Sequence, residues 1–274
     1  MSTSLNKTRV LGRALKQHGP RGVLEAVAGK IKSTWRRGEV WQVGRFVGMH
    51  TDIVRVDGCK FTIDKNLVPA NVVDLLLSDL YEEPERAAIK KYVKPELPVI
   101  ELGACIGVVS CLTNRRLRQP ENHVVVEANP ALLPILKQNR DRNECHFKIV
   151  HAAVSPGARS ITFNVNQNIL ASSVHGDNQQ AVVVPAVTLQ RLLNEHGFQR
   201  ATLICDIEGA ELQLVESELK ILSERIVTII MELHDRIVGD EPTRHMLATL
   251  QSAGFAVAQV DGDVVVLKNS GISR

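Results

Sequence analysis

The stretch Val99-Ile-Glu-Leu-Gly-Ala-Cys-Ile-Gly107 constrains this chain more than any other. An apolar run containing a single acid leads directly into two glycines, the pattern of a buried strand that turns sharply into a helix. Gly103 and Gly107 permit a tight turn and a close backbone approach to a ligand, which a residue bearing a Cβ resists. A chain with such a junction points to a layered α/β domain.

The spacing is Glu101-x-Gly103-x-x-x-Gly107. A dinucleotide-binding turn has Gly-x-Gly-x-x-Gly and holds a pyrophosphate at the helix N-terminus. Here an acid stands where that pattern has a glycine, and an acid suits a cationic ligand group better than a phosphate. The ammonium of S-adenosylmethionine is such a group. An ordinary strand-to-helix turn is the plain alternative. A second strand, His123-Val-Val-Val-Glu127, ends in another carboxylate. An acid at that place accepts hydrogen bonds from ribose hydroxyls in nucleotide-binding α/β folds generally. Asn129-Pro130 stops the strand and opens the next helix.

With 274 residues, 44% of them hydrophobic, the chain can bury one large α/β domain and carry an extension. No apolar run approaches the ~18 residues of a membrane span. The N-terminus lacks the apolar segment of a secretory signal. Cys59, Cys105, Cys111, Cys145 and Cys205 form no Cys-x-x-Cys pair, as expected of reduced thiols in a cytoplasmic protein. Residues 1–39 hold nine Lys or Arg and two acids, so the rest of the chain is net acidic against a total of +3. This basic arm suits an anionic membrane surface or an acidic partner. A solvated helical extension, or a segment like a transit peptide, is the competing reading. Aromatics at 4% are too sparse for stacking on nucleic acid, so no nucleic-acid partner is expected.

Three segments follow from the patterning: the arm over 1–39, a small β and helical element over 40–80, and the main domain over 81–274. Trp41–Val47, Ile53–Val56 and Lys60–Ile63 alternate, and Asp57-Gly58 between the latter two signals a hairpin. Helices are expected over Val72–Leu80 and Glu83–Tyr92. From Pro98 onward strands alternate with helices. A polar insert over 151–187 carries weak strands. Asp261-Gly262-Asp263 folds Phe255–Val260 back onto Val264–Leu267. The expected fold is a mostly parallel Rossmann-like sheet with a terminal antiparallel hairpin, the arrangement of class I methyltransferases. Ligands bind such sheets outside the strand carboxyl ends.

Cys205-Asp-Ile-Glu-Gly-Ala-Glu211 places Asp206, Glu208 and Glu211 around a glycine just past a buried strand, and Ile229-Ile-Met-Glu-Leu-His234 brings Glu232 and His234 to the next strand's end. Together with Tyr81-Glu-Glu-Pro-Glu85, the opening glycine turn and Glu127-Ala-Asn-Pro130, these segments resemble the FkbM family of S-adenosylmethionine-dependent methyltransferases. The resemblance runs from Tyr81 to His234. It implies methyl transfer to oxygen, commonly on hydroxyls of saccharides or other natural products. Carried onto this chain, it implies that Glu101, Gly103, Ala104 and Gly107 shape the methionine end of the cofactor site. Glu127 would hold the ribose and the region of Ala153 would meet the adenine. Asp206, Glu208, Glu211 and His234 would face the methyl group and the acceptor. The chain departs from the family pattern at Glu101 (usually Asp), Cys105 (usually Asn), Ala128 (usually Pro) and Ile204 (commonly Lys).

A neutral hydroxyl needs a base, and His234 is the candidate because imidazole titrates near neutral pH. Asp206 or Glu208 is the rival, as base or as the group that orients the histidine. His151 and His175 are weaker candidates. Carboxylates such as Asp206, Glu208 and Glu232 suit Mg²⁺, but nothing in the sequence demands a metal. Two other classes compete: a nucleotide-dependent oxidoreductase on a similar sheet, disfavoured by the glycine spacing, and a non-catalytic interaction module, disfavoured by the intact turn and Glu127.

Overall fold

The alternation of strands and helices after Pro98 produces a seven-stranded sheet. The structure, a computed structural model, describes residues 53–64, 67–165 and 180–272, all within one compact unit, Asp52–Arg274. The basic arm, the alternating segment Trp41–Val47 and His175 lie outside the described residues.

The central strands are β3 (Val99–Leu102), β4 (His123–Glu127), β5 (Lys148–His151), β9 (Ala201–Cys205) and β10 (Ile226–Glu232). They pair in parallel, with β3 between β4 and β9. The closing hairpin is β11 (Phe255–Asp261) and β12 (Val264–Asn269). Its second strand inserts between β10 and β11, antiparallel to both, so the sheet order is β11-β12-β10-β9-β3-β4-β5. Chain progression reverses at β3, which opens a crevice over the carboxyl ends of β3, β4 and β9. A small hairpin, β1 (Ile53–Val56) and β2 (Cys59–Thr62), turns at Asp57-Gly58 as its alternation requires. The polar insert supplies β6 (Ala153–Val154), β7 (Ser160–Val165) and β8 (Gln180–Val187), a separate three-stranded sheet.

Strand alternation decides what each helix covers. Ile100 and Leu102 face one cluster with Val124, Val126, Leu203 and Met231. Val99, Ile204 and Ile230 face the other way, against Ala88 and Ile89 of helix α2 (Glu83–Tyr92), which follows α1 (Ala70–Leu77). On that second face Val125 packs with Val108 and Cys111 of α3 (Val108–Asn114) and with Ile135 and Leu136 of α4 (Leu133–Arg142). Each fully buried Leu or Ile contributes roughly 1.5–3 kcal/mol. The helix after β3 stops at Asn114, short of the expected Arg118, because the chain tightens into turns at Arg116 and Leu117. α5 (Leu189–Glu195) begins at Thr188, whose hydroxyl accepts from Arg191 N. α6 (Glu211–Arg225) runs six residues past the expected Leu219. It leaves helical geometry at Glu218, whose carboxylate accepts from Leu189 N and Gln190 N at the start of α5. Two helices, α7 (Asp235–Val238) and α8 (Asp240–Ser252), follow β10. No helix among the described residues is long and apolar enough to cross a membrane.

Candidate active site

The strand tips at the reversal carry the glycine turn. Gly103 has φ +86°, and a Cβ there would lie 1.7 Å from the Asp206 carbonyl oxygen, so only glycine lets the β3 and β9 tips meet. The following loop is fastened by Glu127. One of its oxygens accepts from Ala104 N and Cys105 N at 3.1 and 2.8 Å, and the other accepts from Asn129 N at 2.7 Å. Burial pushes the Glu127 carboxyl up and these backbone donors oppose the rise. The oxygen facing Asn129 has one protein donor and keeps capacity for another.

The opening motif therefore works differently from its expected role. Glu101 does not reach the crevice. It precedes Leu102, so alternation turns its side chain into the layer between sheet and helices. It is fully buried there, accepting from Ser110 Oγ and lying 3.0 Å from His123 Nε2. Ala104 is buried and contributes its backbone N–H to Glu127. Gly107 serves packing, since a Cβ would lie 2.7 Å from Leu136 Cδ1. Of the four residues assigned to the methionine end, Gly103 alone lines the cavity above the strand tips.

That cavity has a volume of about 440 Å³, within the usual range of small-molecule sites. Its apolar lining includes Val126, Ala128, Leu132, Ala152, Ala153 and Val154. Its acidic lining is Glu82, Glu85, Asp206, Glu208, Glu232 and Asp263, with Glu127 at the β4 tip. Among the described residues no Lys, Arg or His lines it. Burial and mutual repulsion drive these carboxyls upward: Glu82 to about 8, Glu85 and Asp206 well above their ordinary range, and Glu232 in the same direction. Burial lifts Glu208 to about 7, against the opposing His234 charge.

The turn after β9 is held by Glu211, whose two oxygens accept from Ile207 N and Gly209 N, each at 2.9 Å. The clamp fixes Glu208 at φ +53°. The same Glu211 lies 3.0 Å from His234 Nδ1. Asp206 and Glu208 lie 3.4 and 3.6 Å from His234 Nε2. Burial disfavours charge on this imidazole, but Glu211, Asp206 and Glu208 outweigh it and raise its pKa to about 9. His234 is therefore an imidazolium at neutral pH, with both nitrogens engaged by carboxylates and no place in the cavity lining. To act as the expected base, it would have to give up a contact with a carboxylate. His151 is exposed, beside the Ala128 carbonyl.

Sequence reading passed over Glu82 and Glu85 as site residues. The signal was the run Tyr81-Glu-Glu-Pro-Glu85, whose proline starts α2 at the cavity mouth. Among the described residues, two groups of oxygen and nitrogen donors lie close enough together to hold a metal ion: Asp206, Glu208 and His234, and Glu82, Glu85 and Asp206.

Comparison with known proteins adds a family. A family model described as "Methyltransferase FkbM domain" matches residues 101–257. No curated protein matches the chain. Solved structures to which the chain is similar include precorrin-6y C5,15-methyltransferase from Geobacter metallireducens, 13% identical with a TM-score of 0.44, covering 76% of this chain and 91% of that one. Another is Aeropyrum pernix fibrillarin with natively bound S-adenosyl-L-methionine, 11% identical, TM-score 0.40, covering 68% and 73%. A third is the M. jannaschii tRNA m1G37 methyltransferase, 12% identical, TM-score 0.41, covering 78% and 54%.

Proposed function

This chain belongs to the FkbM methyltransferase family, and from that premise we propose that it methylates a hydroxyl of a saccharide or similar polyhydroxylated small molecule. S-Adenosylmethionine is the cofactor; when bound it supplies a methyl group on a positively charged sulfur that leaves readily. The cavity's residues fit that molecule. Glu127 has acceptor capacity left for a ribose hydroxyl. Ala153, with Ala152, Val154 and Leu132, offers an apolar wall to a flat ring. Gly103 admits ligand atoms close to the backbone. Seven carboxylates with no cationic side chain favour a donor that carries positive charge.

The same acidity supports a neutral, hydroxyl-bearing acceptor. A phosphodiester backbone would find no cationic side chain among the described residues of this cavity, which disfavours nucleic acid as acceptor. Glu208 is the group we assign as base. It lines the cavity and its turn is fixed by Glu211, whereas His234 stands behind it as a held cation. Positioning of acceptor and donor supplies up to roughly 7–11 kcal/mol of barrier reduction, and the base adds ~10²–10⁴-fold. The free thiols of all five cysteines agree with a reducing compartment such as the cytoplasm.

The observation that carries this reading is the cavity over the strand tips, lined by apolar side chains and seven carboxyl groups and, among the described residues, by no cationic side chain. Incubation of the full chain with labelled S-adenosylmethionine and fractionated cell glycans should yield labelled product whose label resists amide and ester cleavage, as an ether does. Label on protein or RNA alone, with none on glycans or small polyols, would overturn the acceptor assignment.

A further inference from the structure

We propose that Glu82, Glu85 and Asp206 form a binding site for a divalent cation. Each of the three presents one carboxylate oxygen, and these oxygens all lie within 4.8 Å of one another. Glu85 is the decisive member. It is 2% exposed, it lines the cavity, and no hydrogen bond from the described residues reaches its carboxylate. Asp206 repeats the pattern: its Oδ1 is buried without a hydrogen-bond partner, 3.4 Å from the His234 ring.

Asp206 alone is offset, by His234 at 3.4 Å; among the described residues no cationic side chain forms an ion pair with Glu82 or Glu85. Arg86, next to Glu85, is turned away and occupied by Asp57, Asp79 and the Tyr81 carbonyl. Ile204, two residues before Asp206, sits in the apolar cluster with Ala88 and Ile89. A buried carboxylate without a partner is costly, and burying such groups is tolerated when they are paired or coordinate a metal.

Donor chemistry narrows the ion. Hard carboxylate oxygens suit Ca²⁺, Mn²⁺ or Mg²⁺. The frame is preset: Glu82 caps α2 in left-handed conformation at φ +49°, and Glu85 lies three residues on, on the same side of the helix start. Three protein oxygens leave at least three coordination positions, and these open into the cavity.

Terbium(III), which takes calcium sites, tests the assignment on the full chain with no methyl donor added. Tyr81 lines the cavity beside Glu82 and would sensitise the bound ion. One equivalent should bind saturably and be displaced by Ca²⁺. Glu85→Gln should weaken binding at least tenfold at an unchanged melting temperature. Glu82→Gln gives the same readout where the first variant melts lower. Tyr81→Phe should silence the emission while calorimetric Ca²⁺ binding persists. Wild-type affinity in both glutamine variants would overturn the site. So would an absence of saturable binding while Glu85→Gln weakens S-adenosylmethionine, which would give the trio to the donor's ammonium instead.

Discussion

Glu208 and His234 compete for one role, and their surroundings separate them. A base must reach the acceptor and be free to take a proton. Glu208 lines the cavity, while both His234 nitrogens face carboxylates. Glu208→Gln should therefore lower kcat by ~10²–10⁴-fold with donor affinity unchanged. His234→Gln should lower kcat roughly tenfold, because Glu211 still clamps the turn through Ile207 N and Gly209 N. Steady-state kinetics on both variants, with donor binding by calorimetry, check this; the reverse ranking would return the proton to the imidazole. Sequence placed His234 ahead of Glu208, on the titration range of imidazole alone. Their ranking depends on Glu211 lying 3.0 Å from His234, a contact between residues 23 positions apart. Glu101 shows the opposite failure. Its position in the motif suggested a ligand, yet period-two alternation of a buried strand had already turned it toward Ser110 and His123.

Elements were legible where their signals are local. The Asp57-Gly58 hairpin, the span of α2 and the Thr188 cap follow from turn, proline and cap chemistry within a few residues. The extension of α6 past Leu219 was not legible, because Glu218 bonds backbone N–H groups 28 and 29 residues away. Long-range ties also hold the β1–β2 hairpin to α2. Asp57 lies 2.6 Å from buried Arg86 and 2.5 Å from exposed Lys90. Burial raises the Asp57 carboxyl, but Lys90 and Arg86 outweigh it and hold the pKa below its ordinary value. A folded-state pKa below the unfolded one stabilises the fold above the unfolded value of about 3.9, and the contribution is lost as pH falls through the folded one. Asn tolerates the left-handed turn at this position (φ +48°). Asp57→Asn should thus cost about 1–3 kcal/mol at pH 7, Arg86 keeping Asp79. In urea denaturation the gap to wild type should narrow below pH 4; a gap constant from pH 7 to 3 would remove the ion pairs from the account.

Across the whole molecule charge is segregated. The chain's net charge is +3, yet its ligand cavity presents seven carboxylates and no cationic side chain among the described residues. The excess positive charge comes from residues 1–39, with nine Lys or Arg against two acids. Charge of that density is drawn to an anionic surface, each Lys or Arg near the headgroups contributing about 1 kcal/mol. The full chain should therefore bind vesicles rich in phosphatidylserine and ignore neutral ones, with affinity falling as salt shortens the ~8–10 Å screening length. Replacing Lys30, Lys32, Arg36 and Arg37 by Gln removes about 4 kcal/mol of such attraction if all four sit at the surface, so vesicle affinity in co-sedimentation should fall by roughly 10²–10³-fold. Donor affinity, measured by calorimetry, should stay the same. Equal vesicle binding by the substituted chain would show that the arm's charge is not directed at a membrane.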